Sequence, residues 1–113
     1  MRRLLVTLVG AALATGAVAA QTPDVAAGQK AYAKAKCDTC HIIGGKGGKM
    51  STALDGIGGK LSAADIKKWM TDPAAMEAKL TTKPKMPMST WSKTHKLADA
   101  DVDAITAYLA SLK

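Results

Sequence analysis

The sequence contains no phenylalanine, and its aromatic residues are two tryptophans and two tyrosines. A chain of this length buries a thin core, so the shortage of large apolar side chains leaves it with little buried mass. Disulfide bonds cannot make up the difference, because the two cysteines, Cys37 and Cys40, would close a very small loop. A large apolar cofactor would supply the missing buried mass.

Arginine occurs at positions 2 and 3 alone, and no other charge follows as far as residue 20. A basic start, the uncharged run Leu4–Ala20 and the small residues at its end are typical of a secretory signal peptide. A membrane anchor is the alternative, but a spanning helix needs about 20 mostly apolar residues and this run is slightly short. We expect residues 1–20 to be a signal peptide cleaved near Ala19 or Ala20, with residues 21–113 as one periplasmic domain.

Residues 21–113 contain 14 lysines, no arginine and 9 acidic residues, which gives a net charge of +5. A basic balance of this size favours docking on the acidic surfaces of other proteins. Nucleic acid is the alternative partner, but arginine is the preferred reader of bases and phosphates and is missing here. Export would also separate the protein from nucleic acid. We therefore expect acidic protein partners, with membrane complexes among the docking sites.

Helical patterns occur at both ends of the expected domain. Thr22, Pro23 and Asp24 match a helix cap, a first-turn proline and a first-turn acid, so a helix should run from here toward Lys36. A last helix is expected from about Asp99 to Leu112. Its apolar residues repeat at spacings of three and four and form one stripe: Val102, Ile105, Leu109 and Leu112.

The middle of the chain contains shorter helical signals and two loops. Ser62 begins a capping box that predicts a helix through about Thr71, and a short turn should follow as far as Met76. The glycine-rich stretch 44–49 should be a loop that is either flexible or closely packed on something. Thr81–Trp91 holds two prolines and should be extended. No alternating strand pattern is longer than a few residues, so the predicted fold class is all-α.

The segment Cys37-Asp38-Thr39-Cys40-His41 carries the most specific signal in the chain. Two thiols separated by two residues and followed at once by histidine form the attachment signature of c-type haem. Sulfurs at this spacing can reach two vinyl groups on one edge of a planar macrocycle, and the adjoining imidazole can bind the iron. The sequence therefore predicts one covalent haem c, with Cys37 and Cys40 as tethers and His41 as an iron ligand.

Three other uses of this motif are open. A dithiol redox site would use the same cysteine pair, but the alternating strand and helix pattern of that fold is absent. Zinc could be held by Cys37, Cys40, His41 and His95, although the adjacent ligands Cys40 and His41 fit the usual spacing poorly. A structural disulfide would leave His41 without a role. Haem accounts for the motif best.

Iron in an electron carrier usually has a second axial ligand, most often histidine or methionine. The candidates are five methionines and one histidine: Met50, Met70, Met76, Met86, Met88 and His95. Met86 ranks first because Pro84 and Pro87 restrict its loop, which lowers the entropy lost when a weak iron–sulfur bond forms. Met88 ranks second, since in an extended loop it would point to the opposite side, and His95 ranks third.

Along nearly the whole of residues 21–113, the chain resembles a bacterial class I cytochrome c. Cys37–His41 matches the haem motif of that family, and Lys85-Met86-Pro87 is similar to its axial-ligand segment. The stretches that resemble its two terminal helices are 28–32 and 101–112. The resemblance implies the all-α class I cytochrome c fold, in which the terminal helices cross and the haem forms the core. It also implies Met86 as the distal ligand, and Gly28 and Tyr108 at the helix crossing.

The chain departs from that family at two points. The family often has a Gly-Pro-x-Leu segment whose proline carbonyl orients the proximal histidine, but residues 51–54 lack the proline. The sequence therefore does not identify the acceptor for the free N–H of His41, although such a partner is expected. Ala98 stands where the family often has a capping Ser or Thr, and we expect Asp99 to cap the last helix instead.

The predicted function is that of a soluble exported electron carrier and not of an enzyme, because iron bound by His41 and Met86 has no open coordination position. One alternative is a haem subunit of a larger periplasmic oxidoreductase, and a weaker one is a five-coordinate gas-binding protein. A monomer is expected, with six lysines steering acidic redox partners toward the haem edge: Lys34, Lys36, Lys46, Lys49, Lys83 and Lys85. An ordinary solvated lysine surface is the other interpretation of that set.

Overall fold

The computed structural model describes residues 23–113, which form six α-helices and one short hairpin. The helices are α1 (Pro23–Lys34), α2 (Ile57–Lys60), α3 (Ala63–Thr71), α4 (Pro73–Glu77), α5 (Met88–Thr94) and α6 (Asp99–Ala110). A 3₁₀ turn spans Cys37–Thr39, and the antiparallel strands are β1 (Ile42–Ile43) and β2 (Lys46–Gly47). Over this range no helix is both long enough and apolar enough to cross a membrane. The predicted signal peptide lies outside the described residues.

Helices α1 and α6 form the most extensive helix contact of the fold. Gly28 is buried in α1, and a Cβ at this position would overlap the Ala104 carbonyl oxygen and come within 2.5 Å of the Tyr108 Cβ. The ring of Tyr108 meets that of Tyr32 edge to face, with centroids 5.7 Å apart. The predicted crossing of the terminal helices at Gly28 and Tyr108 is confirmed, as is the all-α fold class.

The core beside this crossing is small. Its buried cluster consists of Ala31, Tyr32, Ile66, Ile105 and Leu109. The stripe predicted on α6 faces inward, since Val102, Ile105 and Leu109 are buried and Leu112 packs on the cluster half-buried. Helix α3 adds Ile66 and packs on α6, where Lys67 and Asp103 form an exposed ion pair at 2.8 Å.

Of the side-chain caps predicted at Ser62 and Asp99, the first is observed and the second is not. The Ser62 hydroxyl accepts a hydrogen bond from the Asp65 N–H at 3.2 Å, as the capping box predicts, and Asp72 caps the short helix α4. The N-cap of α6 is Ala98, and no side chain caps that helix. The expectation that Asp99 replaces the cap is wrong, because Asp99 is already the first residue inside the helix.

The prediction that Thr81–Trp91 is extended is wrong for its second half, where α5 begins at Met88. A proline restricts the residue before it and leaves the residues after it free to be helical. Pro87 has φ −67° and ψ 140°, which is the extended geometry of an N-cap residue. The chain can therefore turn into a helix immediately after the second proline.

The hydroxyl of Tyr32 is buried and has no hydrogen-bond partner within the described part of the chain. Burial raises the pKa of this phenol well above its ordinary value. Below about pH 10 the phenol is neutral in both the folded and the unfolded chain. Above that pH the unfolded chain ionises first, so this residue makes the folded state less stable as the pH rises.

We expect Tyr32→Phe to raise the free energy of unfolding by about 1 kcal/mol near neutral pH, because it removes a buried hydroxyl without a partner. Above about pH 10 the gain should increase, since the variant has no phenol to ionise on unfolding. Urea unfolding of the haem-loaded protein at neutral and alkaline pH measures both effects. Tyr108→Phe at the half-buried neighbour is the control. An equal loss of stability with pH in wild type and Tyr32→Phe would contradict this account.

Candidate functional site

The predicted haem motif begins where α1 ends. Lys36 has φ 58° and ψ 35°, a left-handed conformation that turns the chain off the helix axis. The N–H groups of Cys40 and His41 both donate to the Cys37 carbonyl, at 3.3 Å and 3.0 Å. This tight turn brings two thiols and one imidazole to the border of the same cavity.

The glycine-rich hairpin folds back onto the motif. The Gly48 N–H donates to the Asp38 carbonyl at 2.8 Å. A Cβ at Gly47 would overlap the His41 carbonyl oxygen, and one at Gly48 would overlap the Thr39 carbonyl oxygen. Close packing, one of the two expectations for stretch 44–49, is therefore observed at Gly47 and Gly48, where side chains larger than hydrogen would push the hairpin away from the motif. A Cβ at Gly44 or Gly45 would meet no atom within 4 Å.

The imidazole of His41 is oriented by a backbone carbonyl. Its Nδ1 lies 2.8 Å from the Thr52 carbonyl oxygen. Because a carbonyl can only accept, Nδ1 carries the proton and donates it, which leaves Nε2 free as a metal-binding nitrogen. Thr52 occupies the position at which the family that the sequence resembles often has proline. The hydrogen bond from His41 is made to the backbone carbonyl, so it does not require a proline side chain.

One cavity of about 240 Å³ brings the predicted site residues together. Among its lining residues are Cys37, Cys40, His41 and Met86. The side chain of Met86 is 53% exposed and that of His95, also on the lining, is exposed. The cavity therefore opens to solvent, so a planar group larger than the enclosed volume can enter it and keep one edge outside.

The remaining ligand candidates fall into two groups. Met88 and His95 border the same cavity as Met86. Met50, Met70 and Met76 are not on its lining: Met50 is 54% exposed, Met70 packs half-buried on the core cluster, and Met76 is buried. The prediction that Met88 points away from Met86 is wrong, because both residues line the same cavity. Residues two apart share a side even in an extended segment, and here Met88 is the first residue of a helix.

His95 makes contacts within its own segment that the sequence did not suggest. Its ring stacks on that of Trp91 with centroids 4.6 Å apart and planes within 1° of parallel. Its Nδ1 lies 3.1 Å from the Trp91 carbonyl oxygen and 2.8 Å from the Thr94 Oγ1. These contacts fix His95 at the cavity wall through its ring face and its Nδ1.

The alternatives to haem lose support in the structure. Both thiols are free, so no structural disulfide is present. Burial, with a contribution from Asp38, raises the pKa of Cys37 to about 11, whereas a dithiol redox site lowers the pKa of its attacking thiol. From residue 23 to the end of the chain, no three His, Cys, Asp or Glu side chains are grouped so that they could hold a metal ion. The zinc arrangement with His95 is therefore not formed.

The model of the cytochrome c family matches residues 25–113. The chain belongs to the cytochrome c family. Comparisons with curated proteins and with solved structures gave no match. Members of this family bind haem c covalently and transfer electrons between redox partners, so this cytochrome c is a haem-binding electron-transfer protein. The predictions of family, fold class and cofactor are confirmed.

The residues around the cavity fit that cofactor. Two free thiols three positions apart, an imidazole with Nε2 available and a methionine sulfur all border one space. Thiols form thioether bonds, and imidazole nitrogen and thioether sulfur are both established haem-iron ligands. The donor set of this cytochrome c therefore suits covalent haem without an additional protein ligand.

Proposed function

We propose that this cytochrome c is a monomeric exported electron carrier in which Cys37 and Cys40 tether the haem while His41 and Met86 bind its iron. The observation that carries the proposal is the single cavity that all four side chains border. When bound, the haem supplies reversible exchange of one electron between ferric and ferrous iron.

The chain's own residues have distinct roles in this proposal. His41 donates a hydrogen bond to the Thr52 carbonyl, which fixes the tautomer of the imidazole and makes Nε2 a stronger ligand for iron. Met86 would be the second protein ligand of the iron, which would leave no position open to a substrate, so we infer that the protein is not an enzyme. Pro87 restricts the backbone beside Met86 and lowers the entropy lost when the sulfur is held in place.

Replacement of the distal ligand tests the proposal. In the oxidised haem-loaded protein, a weak near-infrared absorption band reports a bond between sulfur and ferric iron. We expect Met86→Ala to abolish this band and to let the reduced protein bind carbon monoxide rapidly, because a coordination position opens. Met88→Ala is the matched control and should keep the band. A band that persists in Met86→Ala but disappears in Met88→Ala would transfer the role to Met88, and a wild-type protein without the band would favour His95.

Export is proposed from the sequence of residues 1–20, with the periplasm as the location. Cleavage after Ala19 or Ala20 would remove both arginines and leave a chain whose net charge is +5 before haem is added. The mass of the purified haem-loaded protein distinguishes a cleaved chain from an intact one. An intact chain in the membrane fraction would support the anchor alternative.

The proposed partners are redox proteins with acidic surfaces. The six lysines of the predicted docking set all have exposed side chains, and Lys36 also borders the cavity. Lys46 and Lys49 belong to the hairpin region that packs on the haem motif. Positive charge near the cavity mouth would speed encounters with acidic partners, and salt would screen the attraction.

We expect the association rate with an acidic redox protein to fall as ionic strength rises. Lys46→Gln/Lys49→Gln should lower the rate several-fold at low salt and weaken its dependence on salt, because charges at the edge of an interface act mainly on association. Lys67→Gln is the control, since Lys67 is already paired with Asp103. Stopped-flow kinetics over a range of salt concentrations measures the effect. A rate independent of ionic strength would exclude steering by lysine.

A further inference from the structure

Glu77, the one glutamate of the chain, joins two helices that are separated by a loop. Its Oε1 accepts a hydrogen bond from the Ser89 N–H at 2.8 Å, and its Oε2 accepts one from the Ser89 hydroxyl at 2.6 Å. Hydrogen bonds to a carboxylate are roughly twice as strong as neutral ones. The last residue of α4 is thus bound through both carboxylate oxygens to the first turn of α5.

The helix that carries Glu77 is itself well fixed. Pro73 and Met76 of α4 are buried, and the Asp72 carboxylate accepts a hydrogen bond from the backbone at the start of this helix. Helix α4 also packs against α3, which belongs to the core of the domain. The carboxylate of Glu77 is therefore held at a defined place relative to the core.

The segment between the two helices has few attachments of its own. In the region covered by the structure, residues 81–86 make no hydrogen bond, and all of them except Pro84 are exposed. At the start of α5, Pro87 is the N-cap and provides no side-chain hydrogen bond. The hold of Glu77 on Ser89 is accordingly the main polar restraint on the segment that contains Met86 and Met88.

We propose that Glu77 is the positioning residue of the distal ligand segment: through Ser89 it holds Met86 and Met88 at the cavity. This inference rests on the proposed function, in which a methionine of this segment binds the iron. Glu77 acts on the ligand through the backbone of α5, because its hydrogen bonds are made to Ser89 and to no part of the cavity lining. Without Glu77 the methionine should be held less firmly, so an external ligand should displace it from the iron more easily.

Imidazole binding to the oxidised haem-loaded protein tests this role, because imidazole must displace the methionine from the iron. We expect Glu77→Ala, which removes both hydrogen bonds to Ser89, to bind imidazole at least about tenfold more tightly than wild type, because the loss of even one hydrogen bond to a charged group corresponds to that ratio. Glu77→Gln keeps one carbonyl acceptor, so its imidazole affinity should lie between those of wild type and Glu77→Ala. Asp103→Asn is the matched control, since it removes an acid from a surface ion pair with Lys67 and should leave the affinity unchanged.

A purely structural role would give a different result. If Glu77 only stabilised the fold, Glu77→Ala would lower the melting temperature and leave the imidazole affinity at the wild-type value, which would overturn the proposal. Adding Ser89→Ala to Glu77→Ala should change the affinity no further, because both changes remove the same interaction. An additional increase in the double variant would also contradict it. If Glu77→Ala does not fold, Glu77→Gln and Ser89→Ala carry the test.

Failure of the positioning role and failure of the proposed function can be told apart. A wild-type protein without the near-infrared sulfur-to-iron band would refute methionine ligation, and the role of Glu77 with it. A wild-type protein with the band, and a Glu77→Ala variant with unchanged imidazole affinity, would refute the role of Glu77 alone. The imidazole measurement is valid whether Met86 or Met88 is the ligand, because Ser89 adjoins the segment that holds both.

Discussion

A chain that cannot attach haem, Cys37→Ala/Cys40→Ala, is expected to be largely unfolded under conditions in which the haem-loaded protein is folded. The buried cluster consists of only five residues, and one of them, Ala31, has a very small side chain. Phenylalanine is absent from the whole chain. Helix α5 and the 3₁₀ turn of the haem motif both border the cavity, and neither contains a buried residue. These two elements therefore have no core of their own without the cofactor.

The expected loss is comparable with the whole free energy of unfolding of a small domain, which is about 5–15 kcal/mol. A ligand that binds the folded chain but not the unfolded chain stabilises the folded state. A covalent cofactor that also forms the core is the extreme case of this effect. Thermal melts followed by far-ultraviolet circular dichroism measure the effect. Met86→Ala, which keeps both tethers, is the control and should still melt cooperatively. Helicity and a cooperative melt equal to wild type in the cysteine variant would contradict the prediction.

Features encoded over a few neighbouring residues could be predicted from the sequence. The haem motif is five residues long, and its chemistry depends on spacing alone, so Cys37, Cys40 and His41 needed no knowledge of the fold. The stripe on α6 and the cap at Ser62 are equally local, because a helix places residues three and four apart on one face. The structure confirms the stripe and the cap, and the three motif residues border one cavity.

Features that depend on the path of the backbone could not be predicted in the same way. The acceptor for His41 is the Thr52 carbonyl, and a backbone oxygen leaves no mark in the sequence. The contact of Glu77 with Ser89 spans twelve residues and requires the intervening loop to return to α4. Two prolines predict an extended segment, but proline restricts the residue before it more than those after it, so the start of α5 after Pro87 does not follow from the pattern.

The contact between α1 and α6 accounts for the second large effect that we expect. Gly28→Ala should destabilise the haem-loaded protein by about 3 kcal/mol, the upper part of the range for overpacking a tight interior. The new Cβ would overlap the Ala104 carbonyl oxygen, which is backbone and cannot move aside by changing rotamer. The helices would have to separate, and the Tyr32 and Tyr108 rings that pack across the crossing would lose contact.

Gly59→Ala is the matched control for this change. Gly59 lies in α2, and a Cβ there would meet no atom within 4 Å, so alanine should stabilise the protein by up to about 1 kcal/mol through its higher helix propensity. Urea unfolding of the two variants compares the same substitution at a closed and at an open position. The nearest obstacle at Gly28 is the Ala104 carbonyl oxygen, and the second is the Tyr108 Cβ, which only glycine at position 108 would remove. Gly28→Ala should therefore destabilise a Tyr108→Gly background as much as it destabilises the wild type, because the carbonyl oxygen remains. Disappearance of the effect in the Tyr108→Gly background would assign the crossing to side-chain packing, whereas continued destabilisation identifies close approach of the two backbones as the reason that glycine is required.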